Sequence, residues 1–296
     1  MRDYARLARP GQWIKNGFVL VGVLFGHAWA DAAAVQGALT LFAAFCLVSS
    51  AVYAFNDVMD RHADRVHPHK HRRPVASGRI SAARALAFAV LLVIAGLGLA
   101  ASVSPAALVI AVSYIVLNVA YSLGVKHVAL LDVFFIAAGF MLRLLAGTQG
   151  LGIEPSRWLL LCGLMVTLFL GFAKRRAELA ALEQRVATGQ EAPGGAAQRR
   201  ALAMYTLDWL DRMIGVSAAG ACIAYALYTI DERTAAVQGT DKLVYTVPFV
   251  LYGIYRYLWL LYRRGVGADP STQLLKDPPL VVAVLAWLGV TLFLIR

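Results

Sequence analysis

The stretch Ala51-Val52-Tyr53-Ala54-Phe55-Asn56-Asp57-Val58-Met59-Asp60-Arg61-His62-Ala63-Asp64 decides how this chain is read. Its first half closes an apolar block over 36–56, and its second half carries three aspartates in quick succession. A block of about twenty apolar residues matches the hydrocarbon thickness of a bilayer when helical. If the helix continues past the membrane face, Asp57, Asp60 and Asp64 stand at i, i+3 and i+7, on one stripe. Like charges so placed repel, so the stripe calls for a counter-ion. Mg2+ is the natural one, because it takes oxygen ligands and is commonly held by a few carboxylates together with substrate phosphates. The alternative is a solvated acidic helix end.

Working outward, the same kind of apolar block recurs. The 296 residues are 60% hydrophobic and 15% charged, with a mean hydropathy of +0.65, whereas a soluble domain carries roughly 25% charged residues. Nine spans are predicted, near 14–30, 36–56, 82–102, 105–122, 129–149, 157–173, 212–230, 244–262 and 279–295. The fold class expected is therefore all-α integral membrane, one polytopic domain over 1–296, with loops near 57–81, 123–128, 174–211 and 263–278. With the N-terminus and the even-numbered loops on one side, all but five of the 28 Lys and Arg fall there. The five are Arg143, Arg157, Arg233, Lys242 and Arg296. That asymmetry predicts an N-terminus in the cytoplasm and chemistry-bearing loops facing the cytoplasm. The same retention of basic residues explains the net charge of +11 without nucleic acid. No block has the flanks of a removable leader. Cys46, Cys162 and Cys222 sit inside apolar blocks and read as small hydrophobes rather than disulfide or metal partners.

Four further polar clusters stand at span ends. Beyond the aspartates comes His67-Pro68-His69-Lys70-His71-Arg72-Arg73-Pro74, then Ser77-Gly78-Arg79. Cations beside a carboxylate stripe suit a ligand bound through a metal on one side and phosphate oxygens on the other. The spacing of His62, His67, His69 and His71 fits no closed tetrahedral zinc pattern. A second cluster is Tyr121-Ser122-Leu123-Gly124-Val125-Lys126-His127, followed by Asp132 at the start of a span that also holds Arg143. Ionisable residues within a span are functional suspects by default; snorkelling to an interface is the alternative for Arg143. The third is Lys174-Arg175-Arg176 with Glu178, and the fourth Arg9-Pro10-Gly11-Gln12-Trp13-Ile14-Lys15-Asn16, whose Trp and Lys suit an interfacial anchor. The stretch Thr188 to Gly195 reads as a flexible loop tip.

The Asn-Asp-x-x-Asp-x-x-x-Asp run after the second of nine spans resembles the first aspartate motif of the UbiA superfamily of membrane prenyltransferases. The likeness is closer to its polyprenyl-phosphate phosphoribosyltransferase branch. That branch is matched by Arg9 to Asn16, by Asn56 to Pro74, by Tyr121 to Lys126 with Asp132, and by Gly171-Phe172-Ala173-Lys174-Arg175. A typical superfamily enzyme carries a second Asp-x-x-x-Asp motif at the fifth span; here Asp132 is followed by Ile136 where the second carboxylate would stand. The resemblance implies a UbiA-like helical bundle in a bacterial inner membrane, with a polar chamber at its cytoplasmic side. It implies Mg2+-dependent transfer of phosphoribose from 5-phosphoribosyl diphosphate to a polyprenyl phosphate, in cell-envelope glycan assembly. Asp57, Asp60 and Asp64 would hold the metal, with Asn56 beside them among the catalytic residues. Lys70, Arg72 and Arg73 are then candidates for the 5-phosphate or diphosphate. Lys126, Arg143 and Lys174 are candidates for the lipid phosphate, with Lys15, Tyr121, Asp132 and Arg175 in the same substrate-binding set.

Three other readings compete. Transfer of a polyprenyl group from its diphosphate to an aromatic or other small acceptor would use the same first motif. The absent second carboxylate weighs against it. A transporter would place polar groups near the midplane and show an internal repeat, whereas charge here gathers at span ends. The CDP-alcohol phosphotransferases need an Asp-Gly start that this run lacks.

Overall fold

A computed structural model describes residues 2–66, 70–188, 202–264 and 277–295. These described residues form helices without strands. In chain order they are α1 (Arg2–Ala8), a 3-10 helix (Pro10–Val19), α2 (Val21–Phe25), α3 (Ala32–Met59), α4 (Arg61–Arg65), α5 (Ala82–Val103), α6 (Pro105–Leu123), α7 (Leu131–Gly147), α8 (Arg157–Ala187), α9 (Leu207–Ile230), α10 (Glu232–Gln238), α11 (Val247–Arg264) and α12 (Pro278–Leu294). Seven helical stretches are long and apolar enough to cross a membrane: α3, α5, α6, α7 continued to Leu151, α8, α9, and Lys242–Arg263, which contains most of α11; α12 is apolar but shorter than these. The chain is a multi-pass membrane protein. It divides into two compact units, the described residues up to Pro155 and those from Ser156 onward.

In the first unit α3 is the spine. Asp31 caps its start by accepting from Ala33 N at 2.9 Å, and α5 packs along its length. Ser81 and Ser104 do the same for α5 and α6, satisfying amides that a helix start leaves orphaned. Leu41, Ala44, Phe45 and Val48 of α3 meet Ala107, Ala111 and Tyr114 of α6 and Ala146 of α7 in one buried cluster. A second cluster, nearer the aspartates, joins Ala51, Ala54 and Val58 of α3 to Leu7 of α1, to Ala85 of α5, and to Val75 and Ile80. Burying side chains such as Val75 and Ile80 contributes about 1.5–3 kcal/mol each. That burial folds the segment after the aspartates back onto the end of α3.

Two predicted elements differ. The span expected at 14–30 is a 3-10 helix followed by the short α2. The reason is backbone packing: a Cβ at Gly22 would lie 1.8 Å from Gly147 O, and one at Gly147 would lie 1.8 Å from Val19 O. Only glycines allow this approach, and it fixes the broken segment against α7 rather than letting a regular helix run through. The loop expected from 174 is helical as far as Ala187, because the Ala-, Leu- and Glu-rich run favours helix.

In the second unit α8 and α9 lie side by side. Arg176 Nε donates to Asp211 Oδ1 at 2.6 Å, and its guanidinium sits 4.5 Å over the Tyr262 ring. Asp277 caps α12 and takes a two-pronged ion pair from Arg256, at 3.0 Å on each arm.

Candidate active site

The helix carrying the aspartates does not run on unbroken. It ends at Met59, Asp60 is its C-cap at φ −88° and ψ 2°, and helix resumes as α4. The break sorts the carboxylates. Asp57 and Asp64 are buried, at 2% and 4% exposure, and they converge on one cation: Arg73 Nη1 lies 3.2 Å from Asp57 Oδ1 and 2.6 Å from Asp64 Oδ2. Arg73 reaches them because Val75 and Ile80 anchor the returning segment. Arg9 Nη2 also donates to Asp57 Oδ1, while its guanidinium lies 5.1 Å from the centre of the Tyr53 ring. Asp60 is more exposed and turns to Lys126, whose Nζ lies 2.6 Å from Oδ1. Among the described residues no group of three or more His, Cys, Asp or Glu is gathered around one point.

Three carboxylates are thus set against three cations, Arg9, Arg73 and Lys126. Removing one partner from a buried ion pair leaves an uncompensated charge and typically costs roughly 3–5 kcal/mol, so the buried Asp57 and Asp64 need their arginines or a replacement ion, whereas the more exposed Asp60 does not depend on Lys126 in this way. The donor set fits a hard divalent cation. Asp57 and Asp64 each bring an oxygen to one guanidinium nitrogen, and such a pair of carboxylate oxygens would suit a hard divalent cation in place of that guanidinium.

Asn56 lies at the last turn of α3 and is held from α6, where Ser122 Oγ meets its Oδ1. Ser122 Oγ also lies 2.7 Å from Asn118 O. These two contacts and the Asp60–Lys126 pair clamp the end of α3 to α6 and the short helical turn after it. Tyr121, beside Ser122, is partly buried, as are Lys15 and Lys70, while Arg72 is exposed. Asp132 is buried in the first turn of α7, where its Oδ1 accepts from Val133 N at 2.8 Å. A carboxylate there complements the positive end of the helix dipole.

Arg143 has a different setting. It is 5% exposed, and its guanidinium donates to Asn16 Oδ1 at 2.7 Å, Tyr114 Oη at 2.7 Å and Gly139 O at 2.9 Å. Tyr114 and Phe140 lie beneath it. It faces the interior of the bundle and does not snorkel. Lys174 and Arg175 belong to the second unit, where both pair with Glu178, at 4.0 Å and 2.6 Å. His67, Pro68 and His69 lie outside the described residues, as does the loop tip after Thr188.

Two participants were not assigned from the sequence. Arg9 stands in the N-terminal basic stretch, and only the fold shows that it reaches Asp57. Tyr114 carries no signal within an apolar span.

Comparison with known proteins gives one picture. Residues 18–188 match the model of the UbiA prenyltransferase family. The chain is 31% identical to a decaprenyl-phosphate phosphoribosyltransferase of Mycolicibacterium smegmatis, over 96% of this chain and 89% of that one. It is 36% identical to a protein of the same name from Corynebacterium glutamicum, over 94% of this chain and 82% of that one. Among solved structures, a UbiA homologue from Archaeoglobus fulgidus bound to GPP and Mg2+ superposes with a TM-score of 0.72. It is 18% identical, with 99% of each chain covered.

Proposed function

Because the chain belongs to the UbiA prenyltransferase family, and so is an enzyme of that membrane transferase family, we propose that it transfers phosphoribose from 5-phosphoribosyl diphosphate to a polyprenyl phosphate. The products are polyprenylphosphoryl-5-phosphoribose and diphosphate. The observation that carries this reading is the convergence of Asp57 and Asp64 on a single cation position, ringed by basic side chains. A phosphorylated, diphosphate-bearing donor needs that mixture of metal ligands and phosphate ligands.

Asp57 and Asp64 would hold Mg2+, which would supply positive charge against the diphosphate. Asp60, Asn56 and Lys126 line the same end of α3. Arg73, with Lys70 and Arg72 beside it, binds the phosphates of the donor. Lys126, Lys15 and Tyr121 are the side chains we assign to the lipid phosphate. A phosphate monoester is already anionic, so the nucleophile needs no strong general base. The C1–O bond of the ribose breaks as the lipid phosphate oxygen attacks, and catalysis rests on orientation and fixed charge. Arg143 takes no part in phosphate binding in this scheme; it holds Asn16 and Tyr114 in place.

The functional unit is the whole chain, 1–296, in a bacterial inner membrane with its N-terminus and this site toward the cytoplasm. Nine crossings follow if α12 spans and the 3-10 helix and α2 together make the first. Ten residues of 3-10 helix and five of α-helix give roughly 28 Å of rise, close to the hydrocarbon thickness.

The test is transfer by purified protein in detergent with Mg2+, ribose-labelled phosphoribosyl diphosphate and polyprenyl phosphate. Label is expected to enter the lipid phase with the parent protein and not with Asp57→Asn. A folded parent protein that moves no label, but joins a prenyl diphosphate to an aromatic acceptor, overturns the reading.

A further inference from the structure

Resting on that reading of the aspartate site, we infer that Arg9 is an exchangeable latch. In the metal-free protein it neutralises Asp57, and it shifts to the diphosphate when the cation and diphosphate enter together.

Three observations carry this. The first is unequal exposure. Asp57 is 2% exposed and fixed within α3, whereas the Arg9 side chain is 28% exposed and reaches in from the N-terminal segment. The arginine has solvent beside it to turn into, whereas the aspartate is enclosed. The second is its backbone. Arg9 sits at φ 52° and ψ 60°, a left-handed conformation that costs free energy for any residue but glycine and that persists where the surroundings enforce it. The enforcement is visible on both sides. Ser50 Oγ on α3 donates to Ala8 O at 2.8 Å, and Trp13 Nε1 donates to the same Ser50 Oγ at 3.0 Å. The segment is pinned just before and just after Arg9, so its backbone stays while its side chain changes partner.

The third is charge. Asp57 and Asp64 face Arg9 and Arg73, two negative groups against two positive. A divalent cation entering alone takes over both carboxylates and leaves two guanidiniums unpaired beside a doubly charged ion. Unpaired charges in a partly buried site are costly. A diphosphate arriving with the cation takes up those guanidiniums in charge-assisted hydrogen bonds. The structure therefore favours joint entry of metal and diphosphate and disfavours metal alone. Arg9 and Arg73 share this task, and Arg9, on its separately pinned segment, is the one that can be changed without disturbing the anchor of Arg73.

The experiment titrates Mn2+ into the full chain in detergent, read by electron paramagnetic resonance, with and without inorganic diphosphate. Neither ribose nor lipid is present, so failure of phosphoribosyl transfer leaves the result interpretable. Arg9→Gln is expected to bind Mn2+ alone about tenfold more tightly than the parent, the factor for losing one charge-assisted hydrogen bond. The enhancement of Mn2+ binding by diphosphate falls by a similar factor. In an Asp57→Asn background Arg9→Gln has no such effect, which a general loosening of the fold would not reproduce. Arg9→Lys, which keeps the charge but not the planar fork, gives an intermediate value and decides the matter if Arg9→Gln does not fold. Mn2+ affinity that is unchanged or weaker in the folded variants, or absent from every form, overturns the latch.

Discussion

Two arginine sites in the first unit both tie separate elements together and differ in physics. Arg73 and Arg143 each reach across the bundle to satisfy groups from other elements. Arg73 meets carboxylates, is itself about a quarter exposed, and shares Asp57 with Arg9. Arg143 meets a side-chain amide, a phenol and a backbone carbonyl, all neutral and all inside the bundle. A guanidinium opposite carboxylates can be replaced by another cation, since the carboxylates need positive charge and not arginine in particular. A guanidinium held by neutral acceptors in a closed interior has nothing to exchange with. The first arrangement suits a site through which ions and phosphates pass; the second suits a permanent clasp.

The comparison can be broken most sharply at the aspartates. Asp57→Asn removes the carboxylate that two arginines share, and transfer activity is expected to fall on the order of 10³-fold, about 4 kcal/mol of transition-state stabilisation. Steady-state rates on folded protein check this, and a loss below about tenfold would remove Asp57 from the chemistry. Gly147→Ala acts on the clasp side. Its Cβ would meet Val19 O at 1.8 Å, and backbone there cannot give way cheaply. A loss of about 3 kcal/mol in unfolding free energy, or failure to fold, is expected.

Arg143→Leu sharpens the contrast. Hydrogen bonds within membrane bundles average about 0.6 kcal/mol each, so losing three costs about 2 kcal/mol of stability. Turnover by the remaining folded protein should stay within about threefold of the parent, and a loss resembling that of Asp57→Asn would place Arg143 in the site instead. The smallest effect belongs to Lys126→Met. Asp60 is more than a third exposed and its pair with Lys126 is partly solvated, so unfolding shifts by less than about 1 kcal/mol. Apparent KM for the lipid phosphate is expected to rise about tenfold with kcat little changed.

How much of this was legible depends on the range of the interaction. The apolar blocks at 36–56, 82–102 and 105–122 reappear as α3, α5 and α6, because length and composition alone fix such helices. The form of the span expected near 14–30, a 3-10 helix followed by the short α2, was not legible because it is set by backbone contact between Gly22 and Gly147, far apart in sequence. At the site, the aspartates and the neighbouring basic residues could be picked out from charge and spacing. Their pairing could not. It depends on the helix break at Asp60 and on the return of Arg73 over the cluster of Val75 and Ile80. Arg143 could be flagged as an intramembrane cation, but Asn16 and Tyr114 come from elements that only the packed bundle brings to it.

The most direct test of the central claim follows both halves of the donor at once, using 5-phosphoribosyl diphosphate carrying carbon label in the ribose and phosphorus label in the β-phosphate. With polyprenyl phosphate, Mg2+ and the purified chain, the carbon label is predicted to move into the lipid phase while the phosphorus label stays in water as diphosphate. Phosphorus label in the lipid, or both labels remaining in water with folded protein, would contradict cleavage of the ribose C1–O bond at this site.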